Sequence, residues 1–393
     1  MRALMTLLAL VAGLHFLCGQ SVLSGRVTEA GNQQPVPFAT VYFDGTTTGQ
    51  TTDEDGRFQL SVSGIELPAV LVVSHVGYET LTLPVKDTKE ELQLEIRIRE
   101  QVMSTVVVQD RNQRQKNLQE FRQLFLGSDA WGQAARILNE EALVFNRDYV
   151  NQKLVIRNDY MRKMVQDAKR PNIQWAADGS YVTFDQAVNL EATAKVPLEV
   201  ELPDLGYTVR VDLKSFETIY KQGTTSYFGH FFFQGKEGGD AKRKRRFEKK
   251  RERAYYNSSL HFLRALYQGA LAENGYRLLE EERKGDGRNT AIVPFDIQPY
   301  LKPVGNDQLE ITGLAGRNLI VLYYGDRKGQ PLPESRWKNR QPVQSGLHFG
   351  DQECVIRADG TTGESSLYFS GNLGNRGVSW LLPSDYQTEA ENK

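Results

Sequence analysis

The sequence has little cysteine, little histidine and no surplus of charge of either sign. Its 393 residues include two cysteines and five histidines, and 48 lysines and arginines balance 49 aspartates and glutamates. A net charge of −1 creates no overall field that would attract nucleic acid, so no nucleic-acid partner is expected. Beyond residue 20 no apolar run approaches the roughly 18 to 20 residues of a membrane-spanning helix, so no transmembrane segment is expected there.

The first twenty residues carry the pattern of a secretory signal peptide. Arg2 gives a positive start, an apolar stretch follows to Leu17, and Cys18 opens a short polar exit ending at residue 20. This predicts a signal peptide over residues 1–20, cleaved near Gly19 or Gln20. A lipoprotein would place a small residue before its acylated cysteine, so Leu17 argues against lipidation. The chain is therefore predicted to be periplasmic or associated with the outer membrane of a Gram-negative bacterium, with secretion left open.

Removal of that peptide would leave Cys354 as the single cysteine. A lone thiol cannot form an internal disulfide in an oxidising compartment, so the fold must rest on hydrophobic cores. Cys354 lies in an alternating apolar and polar segment, which predicts a small buried side chain in a strand.

Residues 21–110 are predicted to form an antiparallel β-sandwich. Roughly seven short segments with period-2 alternation are separated by turn residues, and no helical pattern interrupts them. The 52–56 segment, Thr-Asp-Glu-Asp-Gly, could start a calcium loop. A hairpin turn explains the same residues because Asp and Gly tolerate turn conformations, and no bidentate glutamate follows at the right distance.

Residues in this region resemble the carboxypeptidase regulatory-like domain, whose fold is transthyretin-like or immunoglobulin-like. The resemblance covers about 80 residues and rests on Gly25, Val27, Pro35, Val36, Pro37, Ala39, Thr40, Val41, Gly45, Thr46, Gly49, Thr52, Asp53, Asp55, Gly56, Phe58, Leu60, Val76, Gly77 and Tyr78. That family occurs beside zinc carboxypeptidase domains and at the start of TonB-dependent receptors. No histidine here is followed by glutamate three residues later, and roughly 280 residues after Asp110 are too few for such a receptor.

The rest of the chain is predicted to be α+β, so the whole protein is β-rich with mixed secondary structure. Residues 111–184 read as a helical or mixed connector, and residues 185–386 as an α+β domain of unknown function. Within that domain, apolar residues at helical spacing predict a basic amphipathic helix over 242–280. Residues 387–393 form a polar tail, and whether 111–386 makes one domain or two is left open.

This second half is similar to a family of uncharacterised exported bacterial proteins that begin with the regulatory-like domain. The residues responsible are Lys195, Pro197, Leu198, Val200, Leu205, Gly206, Tyr207, Tyr227, Gly229, Phe232, Ala254, Tyr255, Ser258, His261, Phe262, Leu263, Arg264, Leu266, Tyr267, Trp380, Leu381, Leu382, Pro383, Asp385 and Tyr386. Asn257 departs from the pattern, where a glycine is expected. The resemblance implies a compartment and an architecture but no catalytic residue.

A basic run is the most unusual local feature of the sequence. Residues 242–253 hold nine basic and two acidic side chains in a protein of net charge −1. Such a run before a helix could bind anionic lipid head groups, an anionic glycan or an acidic envelope protein, or it could be a solvated helix face. The candidate binding residues are Lys242, Arg243, Lys244, Arg245, Arg246, Lys249, Lys250, Arg251 and Arg253.

Two further patterns have both functional and structural interpretations. His261 lies at helical spacing from Ser258 and Tyr255, as a base would lie from a hydroxyl nucleophile, but a histidine packed on a helix is the favoured interpretation. The aromatic run 226–233 could hold a sugar ring or peptide, although a strand contributing to a core is favoured.

The sequence predicts no catalytic residue, no cofactor and no metal site, because it contains no phosphate-binding loop, dinucleotide fingerprint, CxxC, HExxH or nucleophile elbow. The favoured function is a non-catalytic envelope adaptor or binding protein for an unidentified protein, glycan or anionic lipid surface. A hydrolase acting on envelope glycans or peptides is the first alternative. A periplasmic partner of a TonB-dependent transporter is the second, and it rests on analogy.

Overall fold

The computed structural model describes residues 22–99, 111–168, 172–236, 239–284, 289–305, 307–362 and 367–388. The predicted signal peptide and most of the predicted polar tail lie outside these residues. Two compact units are present: residues 22–44 and 48–99 form the first, and residues 45–47 with the described residues from 111 onward form the second. No helix among the described residues is long and apolar enough to cross a membrane.

The described residues of the first unit form a β-sandwich of seven strands. Its strands are β1 (Val22–Glu29), β2 (Thr40–Phe43), β3 (Gly49–Thr51), β4 (Arg57–Ser61), β5 (Ala69–Ser74), β6 (Leu81–Val85) and β7 (Leu92–Ile96). They form two sheets of order β4-β1-β7 and β3-β2-β5-β6. Strand pairing is antiparallel except between β1 and β7, which are parallel. Fully buried side chains such as Val27, Val41 and Leu71 fill the core, as the period-2 alternation predicted.

The turn before β4 explains the 52–56 acidic segment. The Asp53 carboxylate accepts hydrogen bonds from the backbone N–H groups of Asp55 and Arg57. Gly56 has φ 73°, and a Cβ there would lie 2.4 Å from the Val27 carbonyl oxygen. The segment therefore has the geometry of the Asp-Gly turn, with one carboxylate already used by the backbone.

The second unit begins with helices packed on a six-stranded antiparallel sheet. Its elements are α1 (Arg111–Phe125), α2 (Ala130–Ala134), β8 (Arg136–Ile137), β9 (Leu143–Asn146), β13 (Asn189–Ala194), β14 (Leu198–Leu202), β15 (Tyr207–Ile219) and β16 (Thr224–Gly235). The sheet order is β8-β14-β15-β13-β9, with β16 paired to β15. Phe121 and Phe125 of α1 pack against Phe216 of β15 in its core.

A smaller layer is inserted between β9 and β13. It contains β10 (Tyr149–Val155), α3 (Asp159–Asp167), β11 (Gln174–Trp175) and β12 (Tyr181–Ala187), with strand order β10-β12-β11. The predicted boundary between residues 184 and 185 falls inside β12. Because α1, β8 and β9 share one core with the strands after residue 188, the structure does not separate 111–184 as a connector.

The predicted helix over 242–280 is two shorter helices followed by a strand. The helices are α4 (Ala241–Tyr255) and α5 (Ser259–Tyr267), and β17 (Tyr276–Lys284) follows. Asn257 breaks the helix because it adopts φ 56°, in the left-handed region, and Ser258 then caps α5 by accepting from the His261 N–H at 3.1 Å. The apolar residues that predicted one helix therefore belong to two helices, and those of α4 and α5 pack in different cores.

The second core of this unit lies beneath α5. Its strands are β18 (Asn289–Pro294), β19 (Leu301–Pro303), β20 (Gln308–Ile311), β21 (Asn318–Tyr323), β22 (Val343–Phe349), β23 (Cys354–Arg357) and β24 (Leu367–Ser370), followed by the short helix α6 (Gly371–Gly374). Two sheets result, β18-β17-β21-β22-β24 and β19-β20-β23. Cys354 is buried in β23, as predicted. Leu347 and Phe262 are fully buried in this core.

Candidate functional site

The basic run forms most of helix α4, and one side of this helix packs on the protein. The Asp240 side chain caps its N-terminus by accepting from the Arg243 N–H at 2.8 Å. Phe247, Ala254 and Tyr255 are buried on the inner side. The ring of Phe247 lies over Gly206, where φ is 70° and a Cβ would lie 2.6 Å from the ring. Close packing on the turn between β14 and β15 thus sets the rotation of α4.

Two of the nine candidate cations are used to hold the helix in place. Lys250 forms an ion pair with Asp204. Arg251 donates from Nε to the Leu205 carbonyl oxygen at 2.8 Å, and its guanidinium carbon lies 4.0 Å from the Tyr207 ring centroid. A charged donor on a carbonyl and a cation over an aromatic ring both stabilise this packing. Lys250 and Arg251 are therefore anchors of α4.

Five other cations define an outward row, which we call the cationic stripe. They recur at positions i, i+3, i+4, i+7 and i+11 of α4, so they share one helix face, turned away from the buried Ala254 and Tyr255. All five are exposed: Lys242, Arg245, Arg246, Lys249 and Arg253. The stripe spans about 16 Å at the rise of an α-helix. Arg243 and Lys244 are also exposed but lie at the sides of the N-terminal turns.

The cationic stripe is unfavourable for the isolated helix. Like charges at i,i+3 or i,i+4 destabilise a helix by about 0.2–0.5 kcal/mol for each pair, and Lys249 alone has such pairs with Arg245, Arg246 and Arg253. The positive charge of Lys242 also lies near the positive end of the helix dipole. The arrangement would be relieved by an anion bound along the stripe.

The stripe ends at a polar cleft in the second unit. The cleft has a volume of about 440 Å³, and Arg253 forms part of its wall. The cationic side chains that line it are Arg253, Arg327, Lys328 and Arg376, and the amide side chains are Asn257, Gln341, Asn372 and Asn375. The carboxylates of Asp129 and Asp326 also line the cleft, but Asp326 accepts from the backbone N–H groups of Lys328 and Gln330. The cleft therefore offers more donors than acceptors to a ligand.

Arg376 lies at the inner end of the cleft. Its Nη1 donates to the carbonyl oxygen of Ala254 at 3.1 Å, at the end of α4. Burial lowers the pKa of Arg376, opposed by the nearby hydroxyls of Tyr276 and Tyr323. An arginine nevertheless stays protonated in proteins, so the cleft keeps a positive charge at its base.

Trp380 lines the cleft next to Arg376 and is stacked on Trp131. The Trp131 and Trp380 rings are stacked with centroids 3.8 Å apart, and the Arg376 guanidinium carbon lies 4.9 Å from the Trp380 centroid. Trp380 donates from Nε1 to Asp129 at 2.7 Å, while the same carboxylate caps α2. The stacking on Trp131 and the hydrogen bond to Asp129 thus fix the Trp380 ring beside Arg376.

The structure separates His261 from the hydroxyl considered as its nucleophile partner. The Ser258 hydroxyl accepts from the backbone N–H of residue 261. The His261 ring instead lies 3.1 Å from the Asn274 Oδ1 through Nε2 and 2.9 Å from the Tyr276 hydroxyl through Nδ1. Since the Asn274 amide nitrogen donates to the Ala270 carbonyl, its oxygen accepts, and Nε2 carries the proton. His261 is 2% exposed and has the surroundings of a structural core histidine.

The aromatic run of β16 is divided between the core and the surface. Phe232 and Phe233 are buried, whereas Phe228 is 59% exposed. Within the described residues, no group of three or more His, Cys, Asp or Glu side chains is placed to hold a metal ion.

The cleft was not predicted from the sequence because its residues come from distant segments. Asp129, Arg253 and Arg376 are neighbours only after both cores have formed. A signal was available for the stripe: with Phe247 taken as the inward residue, helical periodicity alone assigns the five outward positions.

Comparison with known proteins identifies the first unit. Residues 23–108 match the profile of the CarboxypepD_reg-like domain, which confirms the resemblance seen in the sequence. No curated protein shows significant similarity. A crystal structure from Bacteroides fragilis NCTC 9343, described as a candidate membrane-associated protein of unknown function, is 12% identical over 54% of this chain and 94% of that chain, with a TM-score of 0.17.

Proposed function

We propose that this protein, which carries a CarboxypepD_reg-like domain at residues 23–108, binds an anionic glycan of the bacterial envelope through the cationic stripe and the adjoining cleft. The observation that carries the proposal is the alignment of five exposed cations on one face of α4, continued by Arg253 into a donor-rich cleft. The first unit would act as the adaptor module, and export would bring both units to the envelope.

The chemistry of the cleft favours a sugar polymer with acidic groups. Side-chain amides such as Asn372 and Asn375 can both donate to and accept from sugar hydroxyls. Arg253 and Arg376 can each present two parallel N–H donors to a carboxylate, sulfate or phosphate group. A linear polymer lying on the stripe could thus place one acidic sugar in the cleft.

The exposed face of α4 favours a glycan over a lipid bilayer. Helices that lie in a membrane interface bury an apolar face among the lipids. Here Phe247, Ala254 and Tyr255, the apolar residues deep on the inner side, are already buried in the protein. The outward stripe therefore provides electrostatic attraction without an apolar surface to insert.

Titration with a labelled anionic oligosaccharide tests the proposal. Polygalacturonate oligomers are the probe, with dextran as the neutral polymer and phosphatidylglycerol vesicles as the lipid surface. Each Lys or Arg near an anionic surface is worth about 1 kcal/mol, so changing all five stripe residues to glutamine should weaken oligomer binding by at least about a hundredfold at low salt.

A charge-matched variant provides the control. It changes five exposed lysines elsewhere to glutamine, which removes the same total charge: Lys116, Lys163, Lys221, Lys302 and Lys338. This variant should bind the oligomer nearly as well as the unmodified protein. Equal loss in both variants would show nonspecific attraction, and binding to vesicles but not to oligomers would replace the glycan by a lipid surface. Either outcome would overturn the proposal.

A further inference from the structure

A second group of polar side chains lies on the outward face of the sheet that contains β21, β22 and β24. In this antiparallel sheet, directly paired residues project from the same face. One row across the three strands pairs Asn318 with His348 and His348 with Tyr368. The adjacent row pairs Ile320 with Gly346 and Gly346 with Ser370. Neighbouring positions in β22, such as Leu347 and Phe349, point into the core.

Three residues of these rows form a continuous hydrogen-bonded chain. His348 Nε2 lies 2.7 Å from the Ser370 hydroxyl, and Nδ1 lies 2.6 Å from the Asn318 Oδ1. Because an amide oxygen can only accept, Nδ1 carries the proton and donates it to Asn318. The lone pair of Nε2 then accepts from the Ser370 hydroxyl. This is the tautomer that a general base requires.

Gly346 makes the contact between the imidazole and the hydroxyl possible. A Cβ at this position would lie 2.4 Å from the Ser370 Oγ and 2.7 Å from the His348 Nε2. Every residue other than glycine would therefore push the two side chains apart. The half-buried Ile320 is the partner of Gly346 in the same row, on β21.

The imidazole is held firmly and remains neutral near pH 7. Its ring stacks on Tyr368, with centroids 4.8 Å apart and planes inclined by 17°. Partial burial lowers the pKa of His348 below its usual value. Ser370 is exposed at the end of β24, so its hydroxyl is accessible from solvent. The group thus combines an accessible hydroxyl, an unprotonated base and an oriented ring.

We propose that Ser370, His348 and Asn318 form a second, catalytic site that hydrolyses short-chain carboxylic esters, with Ser370 as nucleophile, His348 as general base and Asn318 as a positioning residue. The site lies on strands of the second core, and its chemistry does not depend on the cationic stripe.

The reaction is balanced with water as the second reactant. The Ser370 Oγ attacks the ester carbonyl carbon while its proton passes to His348 Nε2. The bond to the leaving oxygen breaks as Nε2 returns that proton, which releases the alcohol and leaves an acyl-serine. Water then attacks the acyl carbon and gives a proton to Nε2, and collapse of the adduct releases the carboxylic acid and restores the serine hydroxyl.

The surroundings of the site favour a small acyl group in the ester and leave the size of its alcohol unrestricted. The half-buried side chain of Ile320, on the same face as Ser370, offers an apolar contact to a small group such as acetyl. Tyr368 and Ser370 on this face are both exposed, so the ester can belong to a large molecule. The substrate class is therefore a short acyl ester carried on an accessible surface.

Hydrolysis of p-nitrophenyl acetate by the full chain tests this assignment, because its leaving group departs without acid assistance. Ser370→Ala and His348→Ala should each lower kcat/KM by at least about a hundredfold. Ser335→Ala, which removes an exposed serine of the same unit, should leave the rate unchanged. A fluorophosphonate should label Ser370, as located by peptide mass spectrometry, and the label should be lost in His348→Ala.

The role of Asn318 has its own readout. Asn318→Asp keeps an oxygen acceptor for the His348 Nδ1–H and should retain activity. Asn318→Ala removes this acceptor and should lower kcat more than it changes KM. Circular dichroism of each variant verifies folding. Full activity in Ser370→Ala would show that an imidazole acts without the serine, and absence of both turnover and labelling in the unmodified protein would exclude the site; both results overturn the proposal. Oligosaccharide binding should be unaffected in all these variants, so failure here is distinguishable from failure of the glycan proposal.

Discussion

Neighbouring cations of α4 should affect stability in opposite directions. Lys249 lies in the exposed stripe, whereas Arg251 lies two residues further along, against the turn between β14 and β15. Removing the positive charge from Lys249 should raise the free energy of unfolding, and removing it from Arg251 should lower it. Glutamine is the replacement in both cases because its helix propensity is close to those of lysine and arginine.

The magnitudes follow from the neighbours of each side chain. Lys249 has three like charges at i,i+3 or i,i+4 (Arg245, Arg246 and Arg253) and one opposite charge (Glu252). At about 0.2–0.5 kcal/mol for each pair, a net of two repulsive pairs predicts a gain of about 0.4–1 kcal/mol at low salt. Arg251→Gln loses a charged donor to the Leu205 carbonyl and the stacking on Tyr207, which predicts a loss of about 2–3 kcal/mol.

Urea unfolding followed by tryptophan fluorescence measures both changes. All four tryptophans (Trp131, Trp175, Trp337 and Trp380) belong to the second unit, so the signal reports that unit alone. The gain from Lys249→Gln should disappear in high salt, since screening removes repulsion between exposed charges. The loss from Arg251→Gln should persist. A Lys249→Gln variant that is less stable than the unmodified protein at low salt would refute the assignment of an outward, self-repelling stripe.

Three further predictions concern the packing of the second unit. Arg264 donates to the carbonyl oxygens of Asp359, Ser384 and Tyr386. Arg264→Lys should therefore lower the free energy of unfolding by about 2–3 kcal/mol, whereas Arg327→Lys, at an exposed site, should leave it unchanged. Equal urea midpoints for the two variants would contradict this. Burial raises the pKa of Tyr207 to about 12. The neutral phenol therefore contributes fully to the free energy of unfolding below pH 10, and this contribution is lost as the pH rises from 10 to 12. Tyr207→Phe should therefore lose roughly 3 kcal/mol less than the unmodified protein over that interval, and a parallel loss in both proteins would count against a buried hydroxyl. Gly206→Ala should cost more stability than Gly223→Ala, because both positions have positive φ but only Gly206 contacts Phe247; equal costs would show that this contact is loose.

The sequence predicted the elements whose information is local. Alternation and turn residues gave the strands of the first unit, and the motif from Gly25 to Tyr78 gave its domain family. The burial of Cys354 in a strand also followed from its neighbours. These features could be predicted because each depends on residues that are adjacent or two positions apart along the chain.

Features that depend on tertiary contacts were not predictable in the same way. The apolar spacing across residues 242–280 is compatible with one helix, and only the left-handed conformation of Asn257 divides it. The hydrogen bonds of His348 depend on the register of β21, β22 and β24, which brings residues 318 and 370 to the two sides of one ring. Strand register is decided by the pairing of whole strands, so no local pattern identified this group.

The buried position of Cys354 gives the protein an internal reporter of its own motions. No other cysteine follows residue 18, and the thiol is 2% exposed within the core below α5. A thiol-reactive reagent can reach it only when that core opens, so the rate of alkylation in native buffer measures how often opening occurs. Because Cys354 is native to the chain, the rate at which the second core opens can be measured with and without a ligand, and no substitution is needed to introduce a reactive residue.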